Sequence, residues 1–441
     1  MVNGAGWGLA AILALSVTAA ARGDAGLELE LAPQLSAPAR AALRQRLDRI
    51  ERTPRFDLVA PVAGADALAE RLLAWAAGRE IDADVKVHAR LAALVAALPD
   101  WPDRLALQRK AEQVMPPGGD AAARVAWFDA HPPVTGLGRL RLGEALMTLG
   151  REAEAVAQLR AGWRSAWSEA AEEKRLLKAY GAWLRPEDHA ARFAFLLEWR
   201  GYTAARRMLR LLAKDQRLLA EARLALRSFA GDVDARVAAV PAALKQDAGL
   251  VLDRAYWRRQ KNLDEAARAM LAQPIDPMTL QRPEEWWRER HVHARALLRE
   301  GKPAAAYAMA AGHGLRPTAD GNARSDRVRM AYAEAEWLAG WIALRFTDQP
   351  ARAQEHFARL YDAVTTATSR SRAAYWLGRA ALALGDQAAA QTWFARAADD
   401  RQRYYGQLAA ERLGEGVGPP PAPAVVVTAQ ARDAFLARED V

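Results

Sequence analysis

Three segments of this chain superimpose on a central glycine, and that register leaves few architectures open. They are Ala145-Leu-Met-Thr-Leu-Gly150, Ala296-Leu-Leu-Arg-Glu-Gly301 and Ala380-Ala-Leu-Ala-Leu-Gly385. Each has alanine five residues before the glycine, and alanine again three residues after it (Ala153, Ala304, Ala388) and five after it (Ala155, Ala306, Ala390). Glycine accepts positive φ at a helix C-terminus without steric cost, so each glycine reads as a corner between two helices. Small flanking residues let those helices cross closely, while Leu159, Met309 and Trp393 are placed to fill the groove to the next hairpin. Two further corners are expected at Gly201 (with Ala204, Met208 and Leu212 beyond it) and at Asn262 (with Ala266 and Met270). Residues 370–414 give the pattern at its clearest: a helix carrying Tyr375, Trp376, Ala380, Ala381 and Leu384, a stop at Gly385-Asp386, a second helix over 388–398, and a third opening near Tyr404. The expected fold class is all-α, a superhelical solenoid of stacked helical hairpins with degenerate tetratricopeptide-like repeats.

Composition narrows the chemistry. Hydrophobic residues make up 51% of the chain, led by alanine, the strongest helix former. Cysteine is absent, which excludes disulfides, thiolate metal sites, a cysteine nucleophile and a lipid-modified N-terminal cysteine. The net charge of +9 arises from arginines interspersed with acids rather than from a basic run, so it reads as solvated helix faces and not as a nucleic-acid surface. Residues 4–21 carry no charge, Leu9–Val17 form an apolar core, and Ala19-Ala20-Ala21 offers small residues for cleavage. The division expected is a signal peptide at 1–21, a domain of helical hairpins at 22–415, and a Pro-rich connector opening a further domain at 416–441. Export to the periplasm follows from it, with no stable membrane span after cleavage.

No catalytic signature is present. The chain has no G-x-x-x-x-G-K-[ST], H-E-x-x-H or G-x-S-x-G. His291 and His293 lie two apart on a helix, face different ways and cannot share a metal. The carboxylate pairs Glu172-Glu173, Glu284-Glu285 and Asp399-Asp400 sit among arginines and read as solvated ion pairs, not as a glycosidase acid. Fifteen tryptophans at helical spacing, Trp376 and the pair Trp337/Trp341 among them, read as wedges between hairpins rather than as ligand platforms. Tyr256-Trp257-Arg258-Arg259 interleaves aromatic and basic residues, but without any nucleic-acid-binding module around it. No catalytic, cofactor-binding or metal-ligating residue is assigned.

Arg282-Pro283 with Trp286-Trp287 and Arg290, Ala305-Ala306-Tyr307, His313-Gly314-Leu315, the run Ala335-Glu336-Trp337 through Trp341 to Phe346, His356-Phe357, Ser371-Arg372 with Tyr375-Trp376, and Tyr404-Tyr405-Gly406 together resemble the soluble lytic murein transglycosylase family. The likeness is specific over residues 281–414. It implies a ring-like superhelix of hairpins in a periplasmic enzyme, followed there by a linker domain and a lysozyme-like domain. In that family one glutamate, in a Glu-Ser motif followed by Gly-Leu-Met-Gln, cuts the MurNAc–GlcNAc bond of peptidoglycan and leaves 1,6-anhydro ends. Neither motif occurs in these 441 residues, so no position inherits the catalytic role. The resemblance therefore implies the non-catalytic superhelical part of a lytic transglycosylase. Its implied partners are peptidoglycan glycan strands and other cell-wall proteins. The alternative is a stand-alone periplasmic helical-repeat scaffold that binds a protein partner.

Overall fold

The computed structural model describes residues 37–52, 67–82, 84–317, 323–415 and 428–430. The expected signal segment and nearly all of the Pro-rich connector lie outside these. The described residues contain twenty-one α-helices, short 3-10 turns and no strand, so the all-α expectation holds. The chain divides into two compact units, residues 1–81 with 425–441 and residues 82–424. The first contains α1 (Ala37–Arg52) and α2 (Ala67–Glu80), whose buried faces carry Leu43, Leu47, Ile50, Leu73 and Trp75.

The second unit holds the remaining helices: α3 (His88–Ala97), α4 (Arg104–Gln113), α5 (Ala121–Ala130), α6 (Gly136–Thr148), α7 (Glu152–Ser165), α8 (Ala170–Tyr180), α9 (Pro186–Glu198), α10 (Tyr202–Met208), α11 (Lys214–Ser228), α12 (Val233–Ala238), α13 (Ala248–Gln260), α14 (Asp264–Leu271), α15 (Pro283–Arg299), α16 (Pro303–Ala311), α17 (Ala323–Phe346), α18 (Pro350–Ala363), α19 (Ala367–Ala383), α20 (Gln387–Ala398) and α21 (Tyr404–Arg412). From α13 onward each helix packs on the next, and α9, α11, α13, α15, α17, α19 and α21 also pack in series. That is the contact pattern of stacked hairpins.

The corners explain why the sequence folds this way. Gly150, Gly301 and Gly385 have φ of 75°, 71° and 82°. In each case the next residue's N–H reaches back five positions, as Arg151 to Leu146 O at 3.0 Å, Lys302 to Leu297 O at 2.9 Å and Asp386 to Ala381 O at 3.0 Å. This closes the helix end and starts the return. Asn262, with φ of 60°, makes the same corner. At the corner near Gly201 the left-handed residue is Arg200, with φ of 64°, one position earlier than the sequence suggests. Asp348, with φ of 49°, turns the chain between α17 and α18, a corner the glycine register does not reveal.

Five residues beyond each of these corners stands an alanine with at most 1% exposure: Ala155, Ala205, Ala267, Ala306, Ala353 and Ala390. This is the position where the two helices touch. The alanines three residues after the glycines (Ala153, Ala304 and Ala388) are exposed instead, because they fall on the outer side of the returning helix's first turn. Half-buried Trp393 does reach the neighbouring hairpin, its ring 5.2 Å from that of Tyr361, while buried Phe394 fills the inside of its own hairpin. Phe394 fits against Gly378, where a Cβ would stand 2.7 Å from the ring. Gly378→Ala is therefore expected to cost about 1–3 kcal/mol through overpacking, of which better helix propensity recovers at most about 1 kcal/mol. A lowered thermal midpoint checks it, and an unchanged or raised midpoint would contradict this packing.

Candidate functional site

Buried charge is the feature of this unit that the sequence conceals. Glu112, Glu144, Glu173, Asp188, Glu198, Asp253, Glu284, Glu289 and Glu336 are all buried. The solvated reading of the carboxylate pairs is thus corrected for Glu173 and Glu284, and holds for exposed Asp399. Arginines on neighbouring helices account for most of these acids. Asp188 accepts from Arg160 at 2.7 Å and from Arg164, and Glu289 accepts from Arg259 at 2.5 and 2.9 Å. Asp253 takes Arg223 at 2.8 Å and Arg227 beside it. The same contacts engage Arg259 of the aromatic-basic run.

Several arginines are buried for a different reason. Arg192 on α9 donates to the carbonyls of Trp163 at 2.9 Å and Ala166 at 2.8 Å, at the end of α7. Arg290 on α15 donates to Met309 O at 2.8 Å and to Leu271 O, at the ends of α16 and α14. Both guanidiniums close helix C-termini, where orphan carbonyls and the helix dipole favour a cation. Burial lowers both to about 10, so they remain charged at neutral pH.

A glycosidase acid needs a carboxyl kept protonated in a cleft. Burial pushes the Glu112 carboxyl up, yet its oxygens already accept from Val134 N at 2.9 Å, Thr135 N at 2.7 Å, Thr135 Oγ1 at 2.6 Å and Gln108 Nε2 at 3.0 Å. It is committed to the turn that opens α6. Burial also pushes up Glu198, which accepts from Arg282 N at 2.8 Å and joins the end of α9 to the start of α15. Both carboxyls are taken up by hydrogen bonds within the array.

The densest polar cluster is centred on Glu336 of α17. His313 Nε2 lies 3.3 Å from one carboxylate oxygen and Arg359 Nε donates to the same oxygen at 3.0 Å. His356 Nδ1 stands 2.6 Å from the other, and Tyr307 Oη lies 3.1 Å from His356 Nε2. Arg359 Nη2 lies 2.8 Å from the same His356 Nδ1, so the imidazole is held between the carboxylate, the guanidinium and the tyrosine. Leu315 N donates to His313 Nδ1 at 3.0 Å, which leaves Nε2–H as that ring's donor. The cluster ties α16, α17 and α18 together. It offers no metal site, and among the described residues no group of three or more His, Asp or Glu could hold one.

Burial alone would raise the Glu336 carboxyl, but hydrogen bonds from His313, His356 and Arg359 outweigh it and hold the group far below the usual carboxylate range. A depressed carboxyl contributes stability that is present above its unfolded value of 4.5 and lost as pH falls toward the folded one. Glu112 and Glu198 act in the opposite sense, because a raised carboxyl contributes at low pH and loses that contribution as pH rises through its folded value. The difference between the wild type and Glu336→Gln therefore isolates Glu336. The variant should melt lower at neutral pH, with the gap closing as pH drops below about 4. A gap independent of pH would contradict the network.

The tryptophans divide by exposure. Trp163 and Trp286 are fully buried, while Trp376 is half-buried, stacked on Phe357 with centroids 5.8 Å apart. Trp337 and Trp341 stack at 5.8 Å and 13°. Trp286 and Trp287 enter one common core, and Trp287 stacks on His291 at 5.4 Å. His293 instead faces Glu289 at 3.6 Å, so the two histidines do point apart. Trp337 and Trp341 line a cavity of about 370 Å³ together with His291, Arg295 and Arg299 of α15. The sequence signals were present, with basic and aromatic residues each spaced four apart on two helices. Nothing in the sequence showed that the two stripes face each other.

No known protein-family profile matches this chain, and no curated protein does. Among solved structures, the complex of the 70-kDa soluble lytic transglycosylase with bulgecin A is similar at 16% identity and a TM-score of 0.44, over 91% of this chain and 64% of that one. The chain thus spans less than two thirds of the length of that structure.

Proposed function

We propose that this chain is a non-catalytic helical-hairpin part of an exported protein of the lytic transglycosylase kind, which holds or orients peptidoglycan glycan strands for cleavage elsewhere. The observation that carries the reading is where the residues of the sequence resemblance lie. Trp286, Trp287 and Arg290, then His313, Glu336 and Trp337, then Trp341, His356, Phe357 and Trp376 belong to one contiguous piece of structure, α15–α19. There they form one interlocked set of rings and buried ion pairs. A likeness due to alanine-rich helical composition alone would scatter over exposed positions. The engaged state of Glu112, Glu198 and Glu336 and the missing motifs support a role without bond cleavage.

The experiment is co-sedimentation of the purified chain with purified sacculi, followed by analysis of the supernatant for anhydro-muropeptides. Saturable binding that weakens with salt is expected, since a chain of net charge +9 meets an anionic polymer. No soluble anhydro products are expected. Failure to sediment at low salt would overturn the glycan reading in favour of a scaffold for a protein partner. Released anhydro products would overturn the non-catalytic reading.

A further inference from the structure

The cavity between α17 and the corner joining α18 to α19 holds a cation that the fold leaves without an oxygen partner. Arg372, in the second turn of α19, is half-buried, and its Nε is buried with no acceptor. The guanidinium has neither a hydrogen bond nor an ion pair among the described residues, only the face of Trp337 at 5.2 Å. Other buried arginines of this unit are placed differently: Arg223 meets Asp253, while Arg192 and Arg290 close helix ends. Burial pushes the Arg372 guanidinium down, because a charge taken out of water without a partner is costly.

The cavity that Arg372 lines has a volume of about 460 Å³, within the roughly 300–1,000 Å³ of small-molecule sites. Ser369 also lines it, three residues earlier on the same face of α19. Thr366 Oγ1 donates to Ser369 Oγ at 3.0 Å, which leaves the Ser369 hydroxyl proton as a donor to the cavity. The apolar part of the lining includes Val364 and Met330, the latter 67% exposed. Glu334, four residues beyond Met330 on α17, accepts from Trp287 Nε1 at 3.2 Å and pairs with no cation. It is the one carboxylate whose charge acts on Arg372. Asp326 and Arg329, in the same lining, pair with each other.

A half-buried guanidinium without an oxygen partner calls for a carboxylate. An unpaired acid in the same lining repels any anion that carries no positive charge of its own. We infer that this cavity binds the zwitterion of an apolar amino acid, its carboxylate on Arg372 and Ser369, its ammonium on Glu334 and its side chain against Met330 and Val364. A free amino acid and an unblocked dipeptide share that chemistry. The inference goes beyond the glycan reading and does not use it.

The test is calorimetric titration of the full chain with L-leucine, leucyl-leucine, leucinamide and N-acetyl-L-leucine. The tighter of the two zwitterions should bind at least about tenfold more tightly than either blocked form, since one lacks the carboxylate and the other the ammonium. Which zwitterion is tighter tells a free amino acid from a dipeptide. Arg372→Gln should remove the advantage over leucinamide, and Glu334→Gln the advantage over N-acetyl-L-leucine. Arg370→Gln should keep both, because Arg370 is exposed on the same helix and donates to Tyr361 Oη at 2.7 Å. Equal binding of the four probes, or advantages that survive both cavity variants, would overturn the site. The ligand-free chain gives a second readout. Arg372→Met keeps an apolar stem on Trp337 and removes the unpaired charge, so its thermal midpoint should hold or rise. A midpoint lowered by several degrees would show the guanidinium to be engaged within the fold, and that too would overturn the site.

Discussion

Asp253→Asn is expected to destabilise the second unit by about 3–5 kcal/mol, read as a lower denaturation midpoint. Asp253 on α13 has no exposed surface and is held by two cations, Arg223 at 2.8 Å and Arg227 beside it. Both come from α11, so the ion triad fastens two helices that are successive in the array. Asparagine keeps the volume and one acceptor but removes the charge, which leaves two guanidiniums in a low-dielectric interior. Glu198, 3.6 Å from Arg223, compensates only in part. Gly249 shows that the packing is built around this cation, because a Cβ there would meet the Arg223 guanidinium at 2.1 Å. Substituting Arg223 and Arg227 with methionine in the Asp253→Asn background should recover much of the loss, since an apolar replacement of a whole buried ion set is often neutral. A change below about 1 kcal/mol in the single variant would mean that water reaches the triad.

What could be read from the sequence divides along a physical line. Corners were legible because a left-handed backbone position selects glycine or asparagine, as at Gly150, Asn262, Gly301 and Gly385. Arg200 and Asp348 occupy the same conformation without that signature, so the corner near Gly201 was misplaced by one residue and the one at Asp348 was missed. Helix faces were legible from spacing, and the Trp337/Trp341 stack follows from it directly. The burial of charge was not. Arg192, Arg223 and Arg290 look like the many surface arginines of an Arg-rich chain, and only the arrival of a helix end or a carboxylate from 18–30 residues away explains them. Arg290 alone has a local clue, a tryptophan four residues before it (Trp286) over whose ring the guanidinium sits; the ring under Arg192, Trp163, is itself 29 residues away. The cavity between α15 and α17 needed the facing of two helices, which no spacing rule supplies.

The tryptophans give the second large effect, and it separates positions that look alike in sequence. Trp286 has 1% exposure, inside the core that also holds Leu271, Leu280, Met309, Leu338 and Ile342. Trp286→Ala removes the whole indole from a site closed on all sides, and is expected to cost about 3–5 kcal/mol. Trp376 sits at the same kind of helical spacing but is half-buried, with Phe357 stacked at 5.8 Å and Trp337 edge-on at 6.4 Å. Part of its ring already meets water, so Trp376→Ala should cost less, about 2 kcal/mol. In a stacked array such losses first appear locally. Amide exchange should therefore speed up in α15, α16 and α17 for Trp286→Ala, and in α18, α19 and α20 for Trp376→Ala. Equal costs for the two variants, or exchange that rises uniformly along the array, would show that hairpins separated by more than one neighbour unfold as a single unit.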